Sequence, residues 1–423
     1  MTSELLHDAL AISDAWSGAL DLHAMIETQV RNLDVGDAGV DVVAVGKAAR
    51  EMALAARDVV GDHVLRQLVI VDEGPAFSLD ADVEFVIGEH PLPGLGSLMA
   101  GERLVDFLDQ SSAAQYMMFL VSGGASSLCA LPAPPVDLGD LHELFAAVLA
   151  AGADITTLNK LRAACSRIAG GAVLRRVRTP RSLSLIMVDN VVSGVRWVAS
   201  GLTFDYTPVR DEVEQLLSDI GRRDTELARR ILDASETRGA IMAVSMTSVH
   251  ENRVIAEPAQ VLASVATEAR RRGFRVIELG ASLHGDVQDI VDAIAATVAS
   301  ETLIEGAFCV VGVGEVTVRI HGDGVGGRCQ EFVWRMAGAF GEYEHDVIAV
   351  ARSTDGRDYV QGIAGGWSDR ETVRRARERG IDFARVVQDS DSYTALQQLG
   401  QLIDGGRTGW NLCDVYLCVV DAR

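Results

Sequence analysis

Tyr116-Met-Met-Phe-Leu-Val-Ser-Gly-Gly-Ala-Ser-Ser127 decides the fold. Its first six residues are apolar without alternation, which reads as a strand buried on both faces, as in a parallel sheet. The strand runs straight into Ser122-Gly-Gly-Ala-Ser-Ser127. Two glycines let backbone approach a ligand closely, and successive N–H groups can cradle a phosphate or carboxylate. An ordinary Gly turn has the same local pattern, so the motif alone leaves both readings open.

Upstream, Val40-Asp-Val-Val-Ala-Val45 repeats the plan and ends in Gly46-Lys47-Ala48-Ala49, the opening of a helix to about residue 59. Lys47 therefore stands at the C-terminal edge of a sheet, where open α/β sheets bind ligands. Only Lys47 and Lys160 occur among 38 basic residues, so a Lys at a strand end marks a specific role more than a solvated surface.

Further strands are expected at 67–71, 83–87 and 182–188, the last ending at Asp189, with helices at 3–32, 97–109, 138–151 and 156–175. Beyond them the reading places strands at 240–246, 274–279, 309–313, 316–320 and 346–350, with a tight turn between the third and fourth. Strand–helix alternation argues for parallel sheet in both halves. The length of 423 residues argues for two domains. A cut near residue 235 gives domains 1–235 and 236–423, and the segment from about 390 is a candidate to pack back on the first. The fold class is α/β: a Rossmann-like parallel-sheet domain followed by a smaller α/β domain.

In the second half, Gly322-Asp-Gly-Val-Gly-Gly-Arg-Cys-Gln-Glu331 places Arg328 at a helix start, where a guanidinium can grip an anion at two points. Thr354-Asp-Gly-Arg-Asp358 follows a strand, as Asp189 does. Carboxylates at strand ends can hold Mg²⁺ or act as bases, although Asp in turns is commonly structural. Gly88-Glu-His-Pro-Leu-Pro93 makes His90 a polar candidate in a rigid turn.

A net charge of −22 argues against nucleic acid or anionic lipid as partner, so an anion site must be built locally from Arg, Lys and N–H groups. The six Cys show no metal-site spacing and read as buried thiols. With no signal peptide and no membrane-length apolar run, a cytoplasmic location is expected.

Collinear motifs then extend over almost the whole chain. They are Val45-Gly-Lys-Ala-Ala49, Gly88–Pro93, Leu120–Leu128, Ala151-Gly-Ala-Asp-Ile155, Asn159-Lys-Leu-Arg162, Ser166–Gly171 and Ala199-Ser-Gly-Leu-Thr203. In the second half come Gly314-Glu-Val-Thr317, Gly326–Glu331, Thr354–Asp358 and Thr408-Gly-Trp-Asn411. Together they resemble the glycerate 2-kinase family with its MOFRL domain. The resemblance implies ATP- and Mg²⁺-dependent phosphoryl transfer to the 2-hydroxyl of D-glycerate or a related small hydroxy acid, in a cleft between the two domains. It casts Lys47, Asp189 and Arg328 as catalytic, and Asp189 and Asp355 as metal ligands. Ser122, Gly123, Gly124, Ala125, Ser126, His90, Asn159, Arg162, Glu315, Asp355 and Asp358 become phosphate, nucleotide or substrate contacts. Partners would be a nucleotide and a hydroxy acid, with a homodimer left open.

Five positions depart from the family pattern: Val192-Ser193 for Gly-Asp, Ala169 for Lys, Leu202 for Pro and Cys329 for Asn. These changes set altered acceptor chemistry, or a non-catalytic nucleotide- or anion-binding protein, beside the plain kinase reading. A hydroxypyruvate reductase ranks low, because no strand-linked GxGxxG is present.

Overall fold

The computed structural model describes residues 2–31, 33, 39–73, 83–110, 113–189, 194–341 and 343–422. Contacts divide the chain into two compact units: Leu22–Asp189 with Ser193–Ala256, and Met1–Asp21 with Asn190–Val192 and Glu257–Arg423.

The first unit is built on six strands: β1 (Val40–Val45), β2 (Val64–Val71), β3 (Val83–Ile87), β4 (Tyr116–Val121), β5 (Arg181–Met187) and β6 (Val249–Ala256). Their order is β3-β2-β1-β4-β5-β6, and every pairing is parallel. All six residues of both β1 and β4 are buried, which explains their unbroken apolar runs. The strand order reverses between β1 and β4. That switch point is where a doubly wound sheet opens a crevice beyond its strand ends.

The second unit carries β7 (Arg275–Asp286), β8 (Gly306–Thr317), β9 (Asp346–Ser353), β10 (Ile363–Asp369), β11 (Leu402–Asp404) and β12 (Asp414–Ala422), in the order β11-β10-β9-β12-β8-β7. Only β7 and β8 run parallel; the other four pairings are antiparallel, so the sheet is mixed rather than parallel. The residues from about 390 do not form a separate segment: they supply β11 and β12, and β12 lies between β9 and β8. The helices Thr2–Ser13 and Ala15–Ala19 also belong to this unit. They bury Ile12 and Trp16, and pack on β9, β12 and the helix Pro258–Arg271.

Local expectations fail where glycine or polarity misleads. Strands at 309–313 and 316–320 are one strand, β8. Gly314 makes no turn; a Cβ there would stand 2.0 Å from the Leu283 carbonyl oxygen, so glycine admits the neighbouring β7 backbone. The expected strand at 240–246 begins as the end of the helix Glu226–Met242, and Val244 and Met246 are exposed. The sheet's last strand is the polar-rich β6, which carries the first unit to Ala256, beyond the expected cut near 235. The helix expected over 3–32 is three helices, the third being Leu22–Val30 in the first unit. The one expected over 156–175 ends at Ala164.

Candidate functional site

In the first unit, β1 and β4 deliver two loops side by side, because Val45 pairs with Val121 at the ends of the strands. The loops are stitched together. Lys47 N–H donates to the Gly123 carbonyl (2.9 Å), Ser122 N–H to Val45 (3.0 Å), and Ala48 N–H to Ser122 Oγ (3.1 Å). Gly46 is required here: its φ is +126°, and a Cβ would lie 2.2 Å from Ser122 Oγ. Gly124 sits at φ +82°, where a Cβ would lie 3.2 Å from Lys47 Cγ and 3.3 Å from His90 Cδ2. Lys47, His90 and the Ser122–Ser127 loop therefore converge, and Ser127 Oγ holds the His90 turn by donating to the Pro91 carbonyl (2.6 Å).

The N–H groups of Gly123, Gly124, Ala125 and Ser126 have no acceptor among the described residues. Four consecutive N–H groups beside an ammonium make an anion-binding concavity. Ser126 Oγ lies 2.7 Å from Ser200 Oγ, which donates to Asn159 Oδ1 at 2.9 Å. Ser200, at φ +51°, is thus a site residue that the motif reading quoted without a role.

A cavity of about 40 Å³ opens beside this chain, lined by Ser126, Arg162, Ser166, Ala169, Ser200 and Leu202 among others. Burial lowers the Arg162 pKa to about 10. Two departures from the family pattern, Ala169 and Leu202, line this cavity. The pair Val192-Ser193 lies outside the described residues. Asp189 follows β5 at the same sheet edge as both loops. The second lysine, Lys160, is taken up by Glu212 (3.1 Å), so rarity alone did not mark a site residue.

The second unit gathers a separate set. Arg328 opens the helix Arg328–Ala339 and donates from Nε to Asp414 Oδ2 (2.9 Å) and from Nη1 to Glu315. Burial opposes the guanidinium charge, but Asp414 and Glu315 outweigh it and hold Arg328 charged. Arg328 is thus bound to two carboxylates of its own unit rather than standing as an unpaired grip for an anion. Asp358 caps the same helix, accepting from the N–H groups of Cys329 (3.2 Å) and Gln330 (2.9 Å). Burial, and then Asp414, push the Asp358 carboxyl up to about 7. Asp355 Oδ1 accepts from Ser353 Oγ (2.8 Å) and Arg357 N–H (2.9 Å). Asp414 was missed by motif reading; its signal is a lone carboxylate opening an otherwise apolar run, Asp414-Val-Tyr-Leu-Cys-Val-Val420. Among the described residues no group of three or more His, Cys, Asp or Glu is disposed to hold a metal. All six cysteines are buried and free, and no described helix is long and apolar enough to cross a membrane.

Residues 8–233 match a family described as a domain of unknown function, DUF4147, and residues 308–414 match the MOFRL family. The chain is 29% identical over 384 residues to a D-glycerate 2-kinase of Thermotoga maritima, covering 90% of each. It is 28% identical to a putative hydroxypyruvate reductase of Agrobacterium vitis, over 88% of this chain and 97% of that protein. The crystal structure of a Thermotoga maritima glycerate kinase superposes with a TM-score of 0.83 at 27% identity, over 99% of this chain and 100% of that one.

Proposed function

The chain belongs to the glycerate 2-kinase family, a DUF4147 domain followed by a MOFRL domain, and from that premise we propose that it phosphorylates glycerate or a related small hydroxy acid. It is a glycerate 2-kinase-like phosphotransferase. The observation that carries the reading is the pair of stitched loops at the β1/β4 switch point, where Lys47 stands beside four unclaimed N–H groups.

Phosphoryl transfer demands little covalent chemistry of the protein; it demands positioned positive charge around the phosphates and an oriented acceptor. Lys47 supplies a full charge, and the Gly123–Ser126 N–H groups supply fixed dipoles that need no reorganisation. ATP is the donor in this reading. Mg²⁺ is normally held by one or two carboxylates plus substrate phosphates, so in this reading the metal arrives with the nucleotide. Asp189, which follows β5 at the sheet edge of the two loops, is the proposed carboxylate. Bound there, the metal would neutralise phosphate charge. Arg328, anchored by Asp414 and Glu315, is proposed to contribute positive potential rather than a movable contact. Relatives named as hydroxypyruvate reductases do not shift the reading, because Gly46-Lys47-Ala48-Ala49 after β1 lacks the glycines of a dinucleotide fingerprint.

The test incubates purified protein with ATP, Mg²⁺ and a panel of 2- and 3-hydroxy acids, with products identified by mass spectrometry. D-Glycerate should give 2-phosphoglycerate, or a related acid its phosphate ester. Folded protein that phosphorylates no acid in the panel would refute the reading.

A further inference from the structure

The cavity beside the Ser122–Ser127 loop is lined by a guanidinium that has no acceptor among the described residues. Arg162, on the helix Ile155–Ala164, lines the cavity with Ser126, Cys129, Cys165, Ser166 and Ser200. Among the described residues neither a hydrogen bond nor a carboxylate engages its guanidinium, which instead lies 5.9 Å from the Phe145 ring centre. Its ionisable neighbour Cys165 is pushed up to about 12 by burial and stays a neutral thiol. Arg162 itself, at about 10, remains charged at neutral pH. Arg162 is half-buried, and a partly desolvated cation without a counter-charge is costly. Arg238, which is fully buried, shows the usual remedy: it donates to the carbonyls of Ala169 (3.2 Å) and Gly170 (2.8 Å). Among the described residues Arg162 has no such remedy, which leaves its guanidinium open to a partner from outside the fold.

Size and lining identify that partner. A volume of about 40 Å³ holds about three water-sized centres, at 10–15 Å³ each, which is the size of a carboxylate group. The remaining walls include Leu131, Leu141 and Ile168, which suit a short carbon chain and not a polyphosphate. One guanidinium balances one carboxylate and can bind it at two points. Ser200 donates to Asn159, so the proton between Ser126 and Ser200 belongs to Ser126, whose hydroxyl can turn to a ligand. We propose that Arg162 binds the carboxylate of the acceptor, which makes it the residue that selects a carboxylate over a neutral alcohol. This rests on the kinase reading for the reaction, but binding can be measured without turnover.

The experiment compares wild type, Arg162→Gln and Arg162→Lys by titration calorimetry with D-glycerate, glycolate, the neutral analogue glycerol, and ATP with Mg²⁺. Losing a charge-assisted two-point contact should weaken D-glycerate binding about 10- to 100-fold in R162Q, with a smaller loss in R162K. ATP affinity should be unchanged, and the wild-type preference for D-glycerate over glycerol should collapse in R162Q. Unchanged D-glycerate affinity in the variants overturns the proposal. So does a fall in ATP affinity, which would assign the cavity to phosphate, and so does a wild-type protein that binds neither acid. If R162Q does not fold, R162K decides, since it keeps the charge and loses the two-point geometry. Arg162-dependent binding of D-glycerate without phosphorylated product would uphold the pocket and refute only the kinase reading.

Discussion

Replacing Asp414 with Asn removes a negative charge from a side chain that is 1% exposed and leaves Arg328 with Glu315 as its remaining carboxylate partner. Breaking a buried ion pair from one side costs about 3–5 kcal/mol, because the surviving charge is stranded. Arg328 is 33% exposed, however, and Glu315 is 44% exposed, so water screens part of that penalty. Asn also keeps one oxygen to accept from Arg328 Nε and from the Tyr416 hydroxyl, which now reaches Asp414 Oδ2 at 3.0 Å. The expected loss is about 2 kcal/mol, which for a unit of this size lowers Tm by about 4–8 °C. Differential scanning calorimetry reads the shift, and a double-mutant cycle with Arg328→Gln isolates the pair. The coupling should be about 1–2 kcal/mol, since the two substitutions remove one interaction. Additive effects, together with a D414N shift below about 1 °C, would show that Asp414 does not anchor Arg328.

Lys47→Ala should lower turnover by at least about 10²-fold with Tm nearly unchanged, because it removes a charge at the transferring group and not a packing contact; full activity would dismiss the role. Gly46→Ala places a Cβ 2.6 Å from the Ser122 carbonyl oxygen at positive φ, and should destabilise by about 2–4 kcal/mol in urea titrations. Asp358, raised to about 7 from an ordinary value of about 3.9, holds its proton more tightly when folded, so its contribution to stability falls as pH rises from about 4 to 7. Asp358→Asn should therefore gain stability relative to wild type across that window, on the order of 4 kcal/mol between its ends; a pH-independent difference between the two proteins would contradict it.

The strand–loop–helix segments around Lys47 and Ser122 were legible because β1 and β4 are buried on both faces, which forces continuous apolar runs whose ends stand out. The all-parallel order of the first sheet followed from the same alternation. The second sheet was not legible in this way. β10 and β11 are antiparallel neighbours joined through helices as parallel strands would be, so alternation in the sequence does not reveal direction. Gly314 imitated a turn because close backbone approach and turning both call for glycine. β6 escaped notice because an edge strand facing solvent tolerates His250, Glu251, Asn252 and Arg253. Lys47 and His90 approach Gly124, while Ser126 reaches Asn159 through Ser200 and lines a cavity with Arg162. The pairing of Arg328 with Asp414 was hidden because those residues are 86 positions apart and no local pattern connects them.

The placement of the helix Thr2–Ser13 in the second unit bears on how the protein is made. This helix is synthesised before the strands it packs on, β9 and β12, which begin only at Asp346 and Asp414. At ribosomal speeds of about 5–20 residues per second, that interval is on the order of 20–80 s. The first unit, Leu22–Asp189 with Ser193–Ala256, has its whole sheet synthesised well before then. Nascent chains halted after Ala256 should therefore carry a folded parallel-sheet unit behind a leading segment whose apolar face, with Leu5, Ile12 and Trp16, still lacks its cover. That segment is where a chaperone would be expected to hold the growing chain.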